Sequence, residues 1–175
     1  MPDQIAADHV VLRRHKPEEL DAFAAFLADE DATRYMAFTP EQKTRAGAAQ
    51  MLDYVISAYD TEAAVFSLTI ADPETDEYLG SCGASPDGGE LEIYYTVVPR
   101  RQGEGIATEA ARALVDHLRS EQQSDLTAYV VEENVASVAV VKHLGFSDSG
   151  VVKRHASTGD LRHGEMVGHK YVLVG

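Results

Sequence analysis

A single cysteine, Cys82, leaves the chain without any internal disulfide. It falls in a stretch of strand character, where a small packed thiol is favoured over a nucleophile. Long apolar runs are also missing. Nothing approaches the roughly 18 consecutive apolar residues of a membrane span, and none opens the sequence. Those absences predict a soluble, cytoplasmic protein with no membrane partner. Lysine is scarce, with five against ten arginines, and 29 acidic residues against 15 basic ones leave a formal charge of −14. A field of that sign argues against nucleic acid as the main partner. It suits a high-salt, halophilic cytoplasm, where a Debye length of about 3 Å at molar salt screens self-repulsion. It suits equally an acidic surface that attracts cationic amines. The seven histidines form no metal pattern. His163 and His169 share a strand face but stand roughly 20 Å apart, so no metal is expected. Repeats, low-complexity segments and linkers are absent, which makes residues 1–175 one domain with a full core.

What the chain does hold is a punctuated stretch from Val97 to Glu109. A run of β-forming residues ends at Pro99, a polar turn follows, and a helical pattern opens near Gly105. A helix N-terminus presents unpaired backbone N–H groups, and glycines keep the approach clear for a phosphate. The Gly-x4-Gly-Lys-Ser/Thr loop is excluded because no lysine stands here. The dinucleotide fingerprint fails too, since Thr108 occupies the place of its third glycine. What fits is Gln/Arg-x-x-Gly-x-Gly/Ala, read as Gln102, Gly105 and Ala107.

The remaining pattern alternates strands with helices. Residues 8–14 read as a first strand. Pro17 with Glu18 and Glu19 opens a helix to about Ala28, and Thr39-Pro40-Glu41 opens a second. Ala63–Ala71, Tyr78–Ser85 and Glu90–Val98 form an antiparallel meander, with Phe66, Leu68 and Ile70 on one face. A helix from Gly105 to about Ser120 leads to a strand at Leu126–Val131, an order that implies parallel pairing. Asn134 caps a helix that Gly145 ends. Two strands, Phe146–His155 and His163–Val174, close the chain through Ser157-Thr158-Gly159-Asp160.

A second motif, Asn134-x-x-Ser137 followed by Lys142-His143-Leu144-Gly145-Phe146, stands beyond the first. Together the two motifs resemble those of the GNAT superfamily of N-acetyltransferases. Ala107-Thr108-Glu109-Ala110 continues as in its ribosomal-protein N-terminal (alanine/serine) acetyltransferase branch. The resemblance spans essentially the whole chain. It implies an α/β (α+β) fold with a mixed, mostly antiparallel sheet of about seven strands, splayed between two parallel middle strands, and about four helices. It implies acetyl-CoA as acetyl donor, an amine acceptor attacking directly in a ternary complex, and no metal. Backbone groups of Tyr95, Thr96 and Val97 would hold the pantetheine, and Gln102, Gly103, Glu104, Gly105, Ile106, Ala107 and Thr108 the pyrophosphate. The backbone N–H near Val97 is the candidate oxyanion donor, and Asn134 and Ser137 face the cofactor. Many superfamily members place a thiolate-protonating tyrosine where Val141 stands here, so Ser137 takes that role, as in the ribosomal branch. The base is Glu92, Glu165 or water; where some members carry a glutamate, Tyr129 stands.

An α-amine costs about 1 kcal/mol to deprotonate at pH 7 and a lysine about 4.6 kcal/mol, so a weak base suits an α-amine acceptor. A protein N-terminus therefore leads, with an aminoglycoside or polyamine as the small-molecule alternative. Tyr35, Met36 and Phe38 either line the acceptor site or pack the first helix pair. A non-catalytic acyl-CoA-binding module stays open, as does a homodimer.

Overall fold

The computed structural model describes residues 2–61, 66–121, 125–155 and 165–174. Its strands are β1 (Gln4–Ala6), β2 (Val11–Arg13), β3 (Phe66–Ala71), β4 (Tyr78–Asp87), β5 (Glu90–Val97), β6 (Leu126–Val130), β7 (Ser147–His155) and β8 (Glu165–Leu173). They form one sheet in the order β1-β2-β3-β4-β5-β6-β8-β7. Among the described strands only the β5–β6 pair runs parallel, because α3 (Ile106–Glu121) carries the chain across between them. The eighth strand is β1, which pairs Ile5 with Leu12 in a hairpin within and just before the expected first strand. Three residues are too short to carry a readable alternation, so only the pairing partner reveals the strand.

Helices cover both faces. On one side Ile106, Ala110 and Leu114 of α3 pack on Leu68, Ile70 and Ile93, together with Val141 of α4 (Val135–His143). Cys82 lies wholly buried in this core, where burial pushes its thiol pKa up and leaves it inert. On the other side α1 (Leu20–Ala28) and α2 (Arg45–Ala58) place Phe26, Leu27 and Ala48 around Tyr78 and Val98. Because neither face meets water, the polar alternates of β3, Ser67 and Thr69, are buried as well.

Two helix starts differ from the sequence expectation. Pro17–Glu19 is a 3-10 turn leading into α1. The Thr39-Pro40-Glu41 signal opens a separate turn, in which the Thr39 and Gln42 side chains cap one another's backbone N–H groups. The true cap stands five residues after Thr39, where the Thr44 hydroxyl accepts from Gly47 N at 3.0 Å. The Ser157–Asp160 connection and Ala63 lie outside the described residues.

One irregularity positions the site. β5 stays paired with β4 as far as Val97, but its parallel ladder with β6 holds only Leu91–Leu126 and Glu92–Thr127. Beyond Glu92 the two strands part, and the β6-facing edge of β5 looks into a cleft.

Candidate active site

At the C-terminal end of β5 the polar turn folds back on the strand, and the Gln102 amide donates to the Val97 carbonyl at 3.1 Å. Gly103 and Gly105 take φ of +80° and +84°, conformations that favour glycine. A Cβ on either would meet no atom within 4 Å. The first helical bond of α3 runs from Glu109 N to Gly105 O at 3.0 Å. The N–H groups of Ile106, Ala107 and Thr108 precede it, so they lie at the positive end of the helix with open space before them. Glu104 is engaged by Arg101 at 2.9 Å, and Glu77 pairs with both Arg100 and Arg101.

A cavity of about 610 Å³ runs from the cleft under the α1–α2 segment. It brings together Glu92, Tyr95, Thr96, Asn134 and Ser137. Val97 is buried at the strand end, and Gln102 through Thr108 lie beyond the cavity wall. Tyr35, Met36 and Phe38 do line the cavity, alongside Phe23, Phe26 and Met51. The Tyr35 hydroxyl donates to the Glu133 carbonyl at 3.2 Å, tying this roof to the entry of α4. Asn134 is the helix cap its type suggests, its side chain accepting from Ser137 N at 3.2 Å. Tyr95 reaches across the cleft and donates to the Ser137 carbonyl at 3.3 Å, and burial pushes its pKa up to about 12. Val141 is fully buried in the opposite core, away from any proton-donating role. At the last parallel rung Thr127 is wholly buried, and its hydroxyl has no hydrogen-bond partner among the described residues. Tyr129 also lines the cavity. Beside Glu92, Glu90 pairs with Lys170. The Glu165 side chain and all of His163 lie outside the described residues.

A polar network on the cavity wall was not anticipated. Ser67, Gly83 and Tyr94 occupy one row across β3, β4 and β5. A Cβ on Gly83 would stand 2.7 Å from the Tyr94 ring, so its absence lets the ring cross β4. The Tyr94 hydroxyl thereby donates to Ser67 Oγ at 2.6 Å. Ser67 Oγ lies 3.1 Å from His15 Nε2, and His15 Nδ1 lies 2.8 Å from Thr69 Oγ1. The Thr69 hydroxyl donates to Glu19 at 2.6 Å, and Arg13 meets the other Glu19 oxygen at 2.6 Å. Burial raises the Glu19 pKa, but hydrogen bonds from His15, Thr69 and Arg13 outweigh it and hold the carboxyl below its ordinary value. Burial pushes the Tyr94 phenol well up. The legible signal was the alternation of Arg13 and His15 with Leu12, and of Ser67 and Thr69 with Leu68. Polar alternates on a sheet covered on both sides must find partners.

Open backbone donors at a helix start and an unladdered strand edge suit a thioester carrying a pyrophosphate and an extended amide-bearing arm. Among the described residues no cluster of three or more His, Cys, Asp or Glu could hold a metal ion. No described helix is long and apolar enough to cross a membrane.

Comparison with known proteins agrees. The uncharacterized N-acetyltransferase p20 of Bacillus licheniformis is 27% identical over 155 residues, covering 86% of each chain. The ribosomal-protein-S5-alanine acetyltransferase of Vibrio fischeri shares the fold with a TM-score of 0.72 at 16% identity, covering 98% of this chain and 96% of its own. The microcin C7 self-immunity acetyltransferase MccE, solved with acetyl-CoA and AMP, superposes with a TM-score of 0.77 at 15% identity, covering 96% and 93%. The acetyltransferase (GNAT) domain family matches residues 9–147, so the chain belongs to the GNAT acetyltransferases.

Proposed function

We propose that this N-acetyltransferase acts on the α-amine of a peptide or protein N-terminus whose first residue is apolar. The observation that carries the reading is the cavity itself. Its roof is Phe23, Phe26, Met36, Phe38 and Met51, and Glu92 is the one carboxylate among its described lining residues. A single carboxylate suits one ammonium beside an apolar body. An aminoglycoside or polyamine would carry several desolvated charges past it, at a cost of several kcal/mol each without partners. The same roof suits an apolar side chain better than the alanine or serine of the ribosomal branch.

In this reading acetyl-CoA supplies an activated acetyl group on a thioester. The glycine turn and the first turn of α3 hold its pyrophosphate, and the free edge of β5 from Tyr95 to Val97 pairs with its arm as an added strand would. The amine enters through the roofed side, held by Glu92, and attacks the thioester carbon directly. A backbone N–H near Val97 receives the developing oxyanion, and Ser137 delivers a proton to the departing sulfur. Asn134 fixes Ser137 by capping its backbone.

Calorimetric titration with acetyl-CoA comes first, followed by a screen of acceptors at fixed acetyl-CoA. Micromolar binding, with turnover of peptides beginning in Leu, Phe or Met above those beginning in Ala or Ser, is the expected result. Turnover of polyamines or aminoglycosides alone would replace the acceptor. Binding without turnover of any amine would leave an acyl-CoA-binding module.

A further inference from the structure

We propose that the ring of Tyr94 is the seat of the acceptor's first side chain, and that this side chain is aromatic. The inference deepens the reading above and rests on it for the α-amine held at Glu92.

Tyr94 is unusual for a residue in the middle of a covered sheet. It belongs to the fifth of eight strands and lies beneath α1 and α2, yet it is 38% exposed. Its hydroxyl is engaged by Ser67 at 2.6 Å, and one edge of its ring passes over the bare Gly83. What stays open is therefore ring surface on the cavity side. Aromatic surface left uncovered inside a cavity marks a place for an apolar ligand. The hydrogen bond also holds the ring still, so a ligand resting on it orders little of the site. Ser67 and His15 at the hydroxyl end are paired with one another at 3.1 Å, so the seat offers a guest a ring rather than a charge.

The surroundings are aromatic too. Of the chain's five phenylalanines and eight tyrosines, three and four border this cavity. In the roof Phe23 is held by Tyr78, edge-on with centroids 6.5 Å apart, and by His15, tilted at 6.2 Å. Met36 and Met51 border the same space. A guest ring gains offset or edge contacts with tyrosine and phenylalanine and sulfur contacts with methionine. An aliphatic guest of equal size gains only the area it buries.

Position ties the seat to the amine. Glu92 and Tyr94 are alternate residues of β5, so they share a face and stand roughly 7 Å apart along the strand. Ile93 between them packs into the opposite core. An ammonium held by Glu92 has its α-carbon beside it and its side chain directed to the next residue on that face. The single methylene of Phe, Tyr or Trp brings a ring there.

The test uses peptides identical beyond a first residue of Phe, cyclohexylalanine, Leu or Met. Cyclohexylalanine is the saturated twin of Phe, so burial of area alone ranks it at least equal. Wild type should favour Phe over its twin by about three- to tenfold in kcat/KM, carried mainly by KM. Calorimetric affinity of both peptides for the enzyme–CoA complex, which cannot turn over, should show the same ratio. Tyr94→Phe keeps the ring and should retain the preference. Tyr94→Leu should lose it, with acetyl-CoA affinity unchanged and Tm measured for both variants. A wild-type ratio near one, or a ratio unmoved in Tyr94→Leu, would overturn the aromatic seat while leaving the acetyltransferase reading intact. The wild-type ratio decides even where a variant fails to fold. Phenethylamine and its cyclohexyl counterpart separate this inference from the peptide reading. Turnover of the first above the second, with no peptide accepted, would remove the protein N-terminus and keep the seat. Turnover of neither amine and of no peptide would overturn both.

Discussion

Single side chains divide the work between the two ends of the cavity. Ser137 sits at the α4 end, fixed through its backbone by Asn134. Replacing it with alanine removes the hydroxyl proposed to protonate the thiolate and leaves the cap untouched. Ser137→Ala should therefore lower kcat about tenfold to a hundredfold while acetyl-CoA affinity holds within about twofold, as read by steady-state kinetics and calorimetry. Glu19, at the other end, bears on stability. Its folded pKa is lowered, so its ion pair with Arg13 stabilises the protein above the ordinary value of 4.5 and is lost as pH falls through the folded value. Glu19→Gln leaves Arg13 partly unmatched in a buried site, costing about 3 kcal/mol, or roughly 6–12 °C in Tm at pH 7. Melting curves below pH 4.5 should show the gap between wild type and variant narrowing. Ser137 and Asn134 were legible as candidates because they sit in a motif of fixed spacing, and Glu92 because it lies on the strand that enters the glycine turn. The sequence hid His15, Ser67 and Tyr94 as a group, because they come from three strands and meet only through register and a missing Cβ.

Elements were legible wherever one face was apolar at a regular period. The meander, α3 and the crossover to β6 fall within one to three residues of their sequence-based limits, because their alternation or helical spacing is unbroken. The start of α2 was not, since a capped turn at Thr39 imitates a helix start before the true cap at Thr44. The turn before α3 is the element most open to a decisive substitution. Gly105 has φ of +84° and open space at its Cβ position. Gly105→Ala should cost about 1–2 kcal/mol from backbone strain alone, a fall of roughly 2–8 °C in Tm. It should also weaken acetyl-CoA binding by about tenfold or more, because the methyl enters the space proposed for the pyrophosphate. Unchanged affinity in calorimetry would remove the turn from the site.

The whole molecule carries a charge of −14, and its self-repulsion at low salt opposes compaction. Tm should rise by several degrees between 0.05 and 2 M KCl, with solubility retained. A fall in Tm or precipitation in molar KCl would leave the acidity to substrate attraction alone. At this scale the sheet has one weak join. Five strands lie on one side of it and three on the other, and two rungs, Leu91–Leu126 and Glu92–Thr127, connect them. The molecule is thus two leaves on a short spine, and acetyl-CoA laid in the opening would act as a splint between them. Saturating it at about 100 times Kd should add about 2.7 kcal/mol to stability. Hydrogen exchange should slow most at the amides flanking the opening, in β5 beyond Glu92 and in β6, with little change in the β1–β2 hairpin.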